Sequence, residues 1–230
     1  MTSLLKPLGD NFWIAEGPVV SFYGFAYPTR MAVIRLANRD LFIWSPIGLK
    51  PALKAEVTAL GPVRYLVSPN KLHYLFLLEW KAAFPDARLH ASPGLARKRR
   101  RIAFDAELGN QPEPDWAKDI DQVLFGGSWA MNEIVFFHRA SRTALFADLI
   151  ENFHPHWFTG WRELAARLDG IVMPHPGAPR EWRLTFNRER ARAALARILA
   201  WQPEQVVVAH GEIVRTGGTA FIRKSFRWLD

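Results

Sequence analysis

The chain has 230 residues and no cysteine. That excludes a disulfide scaffold, a thiol nucleophile, cysteine-ligated zinc and iron–sulfur clusters. Histidine, aspartate and glutamate are left as the good metal ligands, and there are seven histidines. Long apolar runs are also lacking. The richest windows, residues 72–80 and 122–137, are interrupted by charges or turn residues within any span of membrane-crossing length. No transmembrane helix is expected. The opening stretch MTSLLKPLGDNFW has neither the apolar core nor the small-residue cleavage site of a secretory leader. A soluble, cytoplasmic protein is the expectation. No internal repeat or low-complexity tract is present. No Gly-x-Ser-x-Gly elbow surrounds Ser45 or Ser68, so no serine nucleophile is read there.

What the chain does have is aromatic mass and positive charge. Ten Trp and sixteen Phe rule out disorder. At about 150 residues per domain, the length suits one domain or two small ones. Thirty Lys and Arg against twenty-two Asp and Glu give +8, which favours anionic partners without bearing on the fold. The densest basic run, Arg97-Lys98-Arg99-Arg100-Arg101, reads as a solvated face. No zinc-finger spacing or RNA-binding signature accompanies it, which weighs against nucleic acid. Arg30, after the Pro28-Thr29 turn, is a possible anion contact from position alone.

The first half reads as strands at 12–14, 19–25, 31–36 and Leu41–Trp44, the last two joined by an Asn38-Arg39-Asp40 turn. Pro51–Leu60 reads as a helix with Pro at its first position and Gly61-Pro62 as its stop. A strand at Val63–Val67 leads to a helix over 71–84 with Asn70 as its N-cap. Arg88–Ala91 is a short strand, and 105–118 is an excursion over the surface. In the second half, 122–125 is a strand. Residues 133–137 and 143–147 flank Arg139-Ala140-Ser141-Arg142 as a hairpin. Residues 170–173 read as a buried strand, 187–201 as a helix capped by Asn187, 205–209 as a strand and 219–229 as a terminal helix. Hairpins followed by strand–helix alternation imply mixed sheets with helices on their faces.

Three polar residues follow apolar strands: His73 after Val63–Val67, Asp148 after 143–147 and His210 after 205–209. In α/β architectures that strand edge is where ligand sites gather. The hairpin adds a fourth. If 139–142 is its loop, His138 faces Thr143, and counting inward Glu133 faces Asp148. Opposed carboxylates need a cation between them or a shared proton. The cation is either a metal or a lysine. A one-residue slip would instead send Glu133 to the other face. His154-Pro155-His156 and His175 read as loop histidines, and His90 and His138 belong to no constellation.

In order along the chain come Ser45-Pro46, then Ser68-Pro69-Asn70-Lys71-Leu72-His73-Tyr74, Phe146-Ala147-Asp148-Leu149 and Val208-Ala209-His210-Gly211. This order resembles the metallo-β-lactamase superfamily, and within it a divergent branch whose second motif reads Asn-x-x-His. The resemblance runs from about Phe12 to Val214. It implies an α/β (α+β) fold in which residues 1–230 form one domain. The expected architecture is a four-layer αβ/βα sandwich of two mixed sheets, with helices outside and a site at one edge between the sheets. The superfamily's His-x-His-x-Asp-His cluster falls here on Pro69, Lys71, His73 and Tyr74. The first-metal histidines are thus replaced by Pro69 and Lys71. Around residues 126–132 the third is missing too, and Ser128 and Asn132 are what that region offers. The resemblance places His73, Asp148 and His210 around a second-metal position, with Asp148 as the bridging aspartate.

Two His and one carboxylate with an open fourth position form a recognised catalytic zinc set. Two functional readings follow. In one, the chain is an enzyme: one zinc or other divalent ion on His73, Asp148 and His210 assists hydrolysis of an ester, amide or phosphoester, with Tyr74 or Glu133 handling protons or orienting groups. In the other, His73 caps a helix, no metal binds, and Lys71 pairs with Asp148 or Glu133. Lys71 and Asn70 then bind a small anionic ligand without catalysis.

Overall fold

The computed structural model describes residues 3–230. Met1 and Thr2, part of the opening stretch read above for a leader, lie outside the described residues. The first sheet has seven strands: β1 Lys6–Gly9, β2 Phe12–Phe22, β3 Phe25–Arg35, β4 Leu41–Trp44, β5 Val63–Val67, β6 Arg88–Ala91 and β7 Ala106–Glu107. They lie side by side in sequence order. The pairs from β1 to β4 are antiparallel, and those from β4 to β7 are parallel. The switch follows from the connections. β4 and β5 are joined through the helix α1 Pro51–Leu60, and β5 and β6 through α2 Leu77–Ala83, the kind of crossover a parallel pair requires.

The second sheet contains β8 Ile120–Phe125, β9 Glu133–His138, β10 Thr143–Phe146 and β11 Gln205–Val208, ordered β11-β10-β9-β8. β9 and β10 pair as a hairpin with Thr143 opposite His138 and Leu145 opposite Phe136, the register obtained by counting from the turn. Between β10 and β11 run α4 Trp161–Asp169, the four-residue α5 Arg180–Arg183 and α6 Arg188–Ala200. α3 Leu95–Lys98 follows β6, and α7 Gly218–Ser225 precedes a final 3-10 turn, Arg227–Leu229.

Alternation along the strands builds the layers, because successive side chains leave opposite faces. On β4, Phe42 and Trp44 enter the core between the sheets, while Leu41 and Ile43 join Leu53 and Val57 of α1 and Leu77 and Trp80 of α2. On β9, Ile134 and Phe136 enter the central core, while Val135 and Phe137 pack with Ala191 and Ile198 of α6. Each fully buried Phe or Leu contributes about 1.5–3 kcal/mol of transfer free energy. The four-layer sandwich of two mixed sheets with outer helices is therefore present. No helix among the described residues is long and apolar enough to cross a membrane.

Several expected elements are redrawn. The strands at 12–14 and 19–25 belong largely to one strand, β2, whose register shifts between Glu16 and Val19, and which turns into β3 at Tyr23-Gly24. The helix expected over 71–84 begins only at Leu77. Asn70 accepts from the amides of Leu72 and His73, and Ser68 donates to the carbonyls of Asn70 and His73. These contacts hold 70–73 as a turn, the local alternative that Asx side chains offer to a helix. Residues 170–173 form one bridge, Val172 with Phe153, and join neither sheet. The terminal helix over 219–229 breaks into α7 and the 3-10 turn. β1 and α4 have no counterpart among the expected elements, and the 105–118 stretch is not simply a surface excursion: it contributes β7 to the sheet edge and buries Leu108 and Trp116 in the central core. Asn187 does cap α6, accepting from Arg190 N.

Candidate metal centre

The first sheet sends β4 and β5, and the second β10 and β11, to the same edge. Their C-terminal ends deliver Ser45, His73, Asp148 and His210. His210 Nε2 lies 3.1 Å from Asp148 Oδ1, and His73 Nε2 lies 3.3 Å from Asp148 Oδ2. The two imidazole centroids are 5.3 Å apart. Among the described residues, these three form the group whose ligand atoms, all within 4.8 Å of one another, could hold an ion. Atoms at zinc distances of 2.0–2.2 Å around a tetrahedral centre are about 3.4 Å apart, so the donor set fits a single small cation.

Both rings are held from behind. His210 Nδ1 donates to the Pro28 carbonyl at 2.7 Å, because a carbonyl can only accept. His73 Nδ1 is 2.7 Å from Ser45 Oγ. Engaging Nδ1 leaves Nε2 as the nitrogen turned toward Asp148, the tautomer control common at metal-ligating histidines. Ser45 is buried at a φ of +51°, a strained conformation for a non-glycine residue. Its backbone N is tied to the Val67 carbonyl at 2.9 Å. After His210, Gly211 has φ +97°, and a Cβ there would sit 2.1 Å from the Asn152 carbonyl oxygen. Only glycine lets the chain turn so close to that backbone. Arg30 is buried and no anion contact. It pairs with Glu16 at 2.9 Å and donates to the Val208 carbonyl, tying β3 to β11 just before His210.

Beneath the histidines, Asn70 Nδ2 donates to Glu133 Oε2 at 3.0 Å and to Asp148 Oδ2 at 2.6 Å. Glu133 also accepts from the amides of Ala147 and Asp148, both at 2.8 Å, and of Leu149 at 3.3 Å. Burial, followed by the charge of Asp148, pushes the Glu133 carboxyl up to about 7, against those amides and Asn70. For Asp148, burial is the largest influence and pushes upward. The combined pull of His73 and His210 outweighs it and holds the carboxyl well below the usual carboxylate range.

The opposition of Glu133 and Asp148 thus matches the count along the hairpin, but the group between them does not match the expected lysine. Lys71 makes no ion pair with either carboxylate. Its stem lies over Gly94, and its carbonyl accepts from Lys98 Nζ at 2.9 Å. Residues 70–73 form a turn, and that turn directs the Asn70 side chain, not that of Lys71, at the carboxylates. Asn70 is not free to bind a ligand either. Both protons of its amide go to the carboxylates, and its oxygen accepts twice.

A cavity of about 190 Å³ opens over the histidines, with Phe22, Tyr27, Leu72, Phe76, Glu151 and Trp182 among its walls. No lysine or arginine lines it. Tyr74 also stands at the wall, but its ring packs against the Arg99 guanidinium at 4.1 Å and Lys98 at 5.4 Å. Glu133 does not reach the cavity. Sequence reasoning missed Glu151 and Tyr27. Glu151 is buried with no hydrogen-bond partner at either oxygen, and burial, then the charge of Asp148, raises its carboxyl well above the usual range. Burial, then the charges of Glu151 and Asp148, raises the Tyr27 hydroxyl. Its ring meets His210 edge-on at 5.0 Å.

The other histidines lie apart from this group. His90 is buried beside Trp116, His138 lies at the hairpin turn, and exposed His156 pairs with Glu163 at 3.2 Å. The Arg97–Arg101 run is exposed as expected.

Residues 10–158 match the family model described as Domain of unknown function (DUF4336). The chain belongs to this family. No curated protein matches the sequence. Among solved structures, DIM-1 metallo-β-lactamase exposed to ceftazidime is similar, with 13% identity, coverage of 98% of this chain and 97% of that one, and a TM-score of 0.66. The FIM-1 metallo-β-lactamase from Pseudomonas aeruginosa in its mono-zinc form follows at 10% identity, 98% and 95% coverage and a TM-score of 0.64. A metallo-β-lactamase from Hirschia baltica has 16% identity, 95% and 96% coverage and a TM-score of 0.60. At these identities the likeness establishes the metallo-β-lactamase fold for this member of the family, and nothing finer.

Proposed function

We propose that the chain is a hydrolase that works with one divalent ion held by His73, Asp148 and His210. Its substrate class is a small ester, amide or phosphoester. The observation that carries this reading is the convergence of the two Nε2 atoms on Asp148, each imidazole already fixed through its Nδ1. The mono-zinc form of FIM-1 is a precedent for this fold with a single ion. A bound divalent ion supplies activation of water and polarisation of the bond to be cleaved.

The chain's own residues do the rest. Ser45 and the Pro28 carbonyl orient the imidazoles. Asn70 and Glu133 hold Asp148 from below and act as positioning residues, since neither reaches the substrate. The apolar walls at Phe22, Leu72, Phe76 and Trp182 exclude water and seat an apolar substrate body. Tyr74 borders the same cavity and contributes to its shape.

The test is elemental analysis of protein produced with ample zinc, manganese and iron. About one ion per chain is expected, lost in His210→Ala, with hydrolysis of chromogenic esters and phosphodiesters falling in parallel. Ligand deprotonation should make ion affinity rise with pH. A chain that takes up no ion under saturating supply would sink this reading.

A further inference from the structure

A second cavity, of about 260 Å³, lies on the other side of α5. Trp182 of that short helix lines the cavity over the histidines, while its neighbours Arg180 and Arg183 line this one. Arg167, Lys224 and Arg227 complete a set of five cationic side chains, with His175 beside them, and no carboxylate lines the space. The nearest acids are otherwise placed. Glu163 is paired with Arg167 at 2.7 Å. Asp169 and Glu181 are close enough to act on Arg183, but neither forms an ion pair with a cation of the cavity. Arg167, Arg180, Lys224 and Arg227 are exposed, so solvent screens part of their mutual repulsion, and a bound anion would relieve the rest.

The wall is built around Arg183. Its Nε donates to the Ala178 carbonyl at 2.5 Å, and one Nη donates to the carbonyls of Asp169 and Gly170 at 3.1 Å each. A Cβ on Gly177 would stand 2.7 Å from that Nη, so bare backbone makes room for the guanidinium. Trp228 lines the same space, its ring packed against Phe186 and Phe226.

We propose that this cavity binds the phosphate groups of a small molecule, with a diphosphate preferred over a single phosphate. Guanidinium forks match phosphate oxygens in pairs, and the three cations whose side chains make no ion pair or hydrogen bond among the described residues, Arg180, Lys224 and Arg227, exceed what one phosphate neutralises. This site is separate from the histidines and does not depend on the hydrolase reading.

The test is calorimetric titration of the full chain with pyrophosphate, orthophosphate and a nucleoside diphosphate at about 50 mM salt, where screening is modest. Saturable binding is expected, tighter for pyrophosphate than for orthophosphate. A nucleoside diphosphate that binds more tightly still identifies the anion as part of a larger molecule, and equal affinity identifies the free anion. Arg180 and Lys224 are exposed, so Arg180→Gln and Lys224→Gln should fold normally. Each should weaken binding by about 10-fold, the loss of one charge-assisted hydrogen bond. His210→Ala should bind as the parent does, which separates this site from the histidine cluster. The proposal is overturned if pyrophosphate shows no saturable binding, or if the variant carrying both Arg180→Gln and Lys224→Gln binds it as tightly as the parent. It is also overturned if a short oligonucleotide binds more tightly than the diphosphates and displaces them.

Discussion

The β9–β10 hairpin has buried polar groups at both ends, and the two ends are satisfied in different ways. At the turn, His138 Nδ1 meets Ser141 Oγ at 2.8 Å, and Ser141 Oγ meets Thr143 Oγ1 at 2.8 Å. Phe12 stacks on the imidazole at 5.4 Å. The partners are neighbours in sequence, and the network closes on itself. At the open end, Glu133 and Asp148 are joined by Asn70, from a loop of the other sheet's crossover. There the outer oxygens of Asp148 face imidazole nitrogens across gaps that a proton or an ion has to fill. A closed local network fixes a turn. A network closed on one side and open on the other makes a binding site.

Substitutions at the two ends should separate these roles. The largest effect is expected from Glu133→Ala, which strips the acceptor from three backbone amides and the Asn70 amide at full burial. Denaturant unfolding should show a loss of about 3–5 kcal/mol, if the variant folds at all. A loss under 1 kcal/mol would mean that water replaces the carboxylate and the end is not sealed. Next comes Asn70. Asn70→Ala should cost about 2–3 kcal/mol by leaving the carboxylates unbridged. Asn70→Asp should cost more at pH 8, because a third carboxylate joins the pair. The difference between the two variants should shrink as the pH falls and that group takes up a proton. Equal stability at pH 8 would show that the amide bridge is not what holds the carboxylates together.

The smallest effect belongs to the turn. His138→Gln should cost about 1 kcal/mol and leave ion content unchanged. Its signature is in the pH dependence. Burial lowers the His138 pKa below 6.5, so the unfolded chain takes up the proton first. The stability this neutral ring preserves is full above pH 6.5 and is lost as the pH falls through that value toward the folded pKa. Urea midpoints measured between pH 8 and 5 should therefore fall less steeply in the variant. Part of the slope will remain, since burial also holds His90 at about 4. An unchanged slope would show that His138 contributes nothing to acid sensitivity.

Much of this site was legible before the fold. Counting back from the four-residue turn brought Glu133 opposite Asp148, because a hairpin's register follows from its loop. Strand ends pointed to His73, Asp148 and His210, because the parallel and antiparallel strands finish at one edge. What stayed hidden depends on a side chain's direction or on distant contacts. Asn70 looked like a helix cap, but its amide could serve a two-residue turn equally well, and only the carboxylates behind it decide between them. Lys71 had the charge expected of a missing cation, and nothing in its position told which way the turn would aim it. Glu151, outside both sheets, and Tyr27, on β3, come from distant parts of the chain to line one cavity, and neither has a local signature. α4 follows Gly160, which offers no side-chain cap; its Trp161, Leu164 and Leu168 have helical spacing, a signal that sequence reasoning missed, and in the fold they face solvent.

The four residues of α5 have a consequence for how the protein would respond to its surroundings. One wall serves two cavities, with Trp182 over the histidines and Arg180 and Arg183 turned the other way. A ligand that repositions this wall from either side changes the affinity on the far side, and thermodynamic reciprocity makes the two effects equal. If both proposals hold, anion and substrate are linked through this single helical turn.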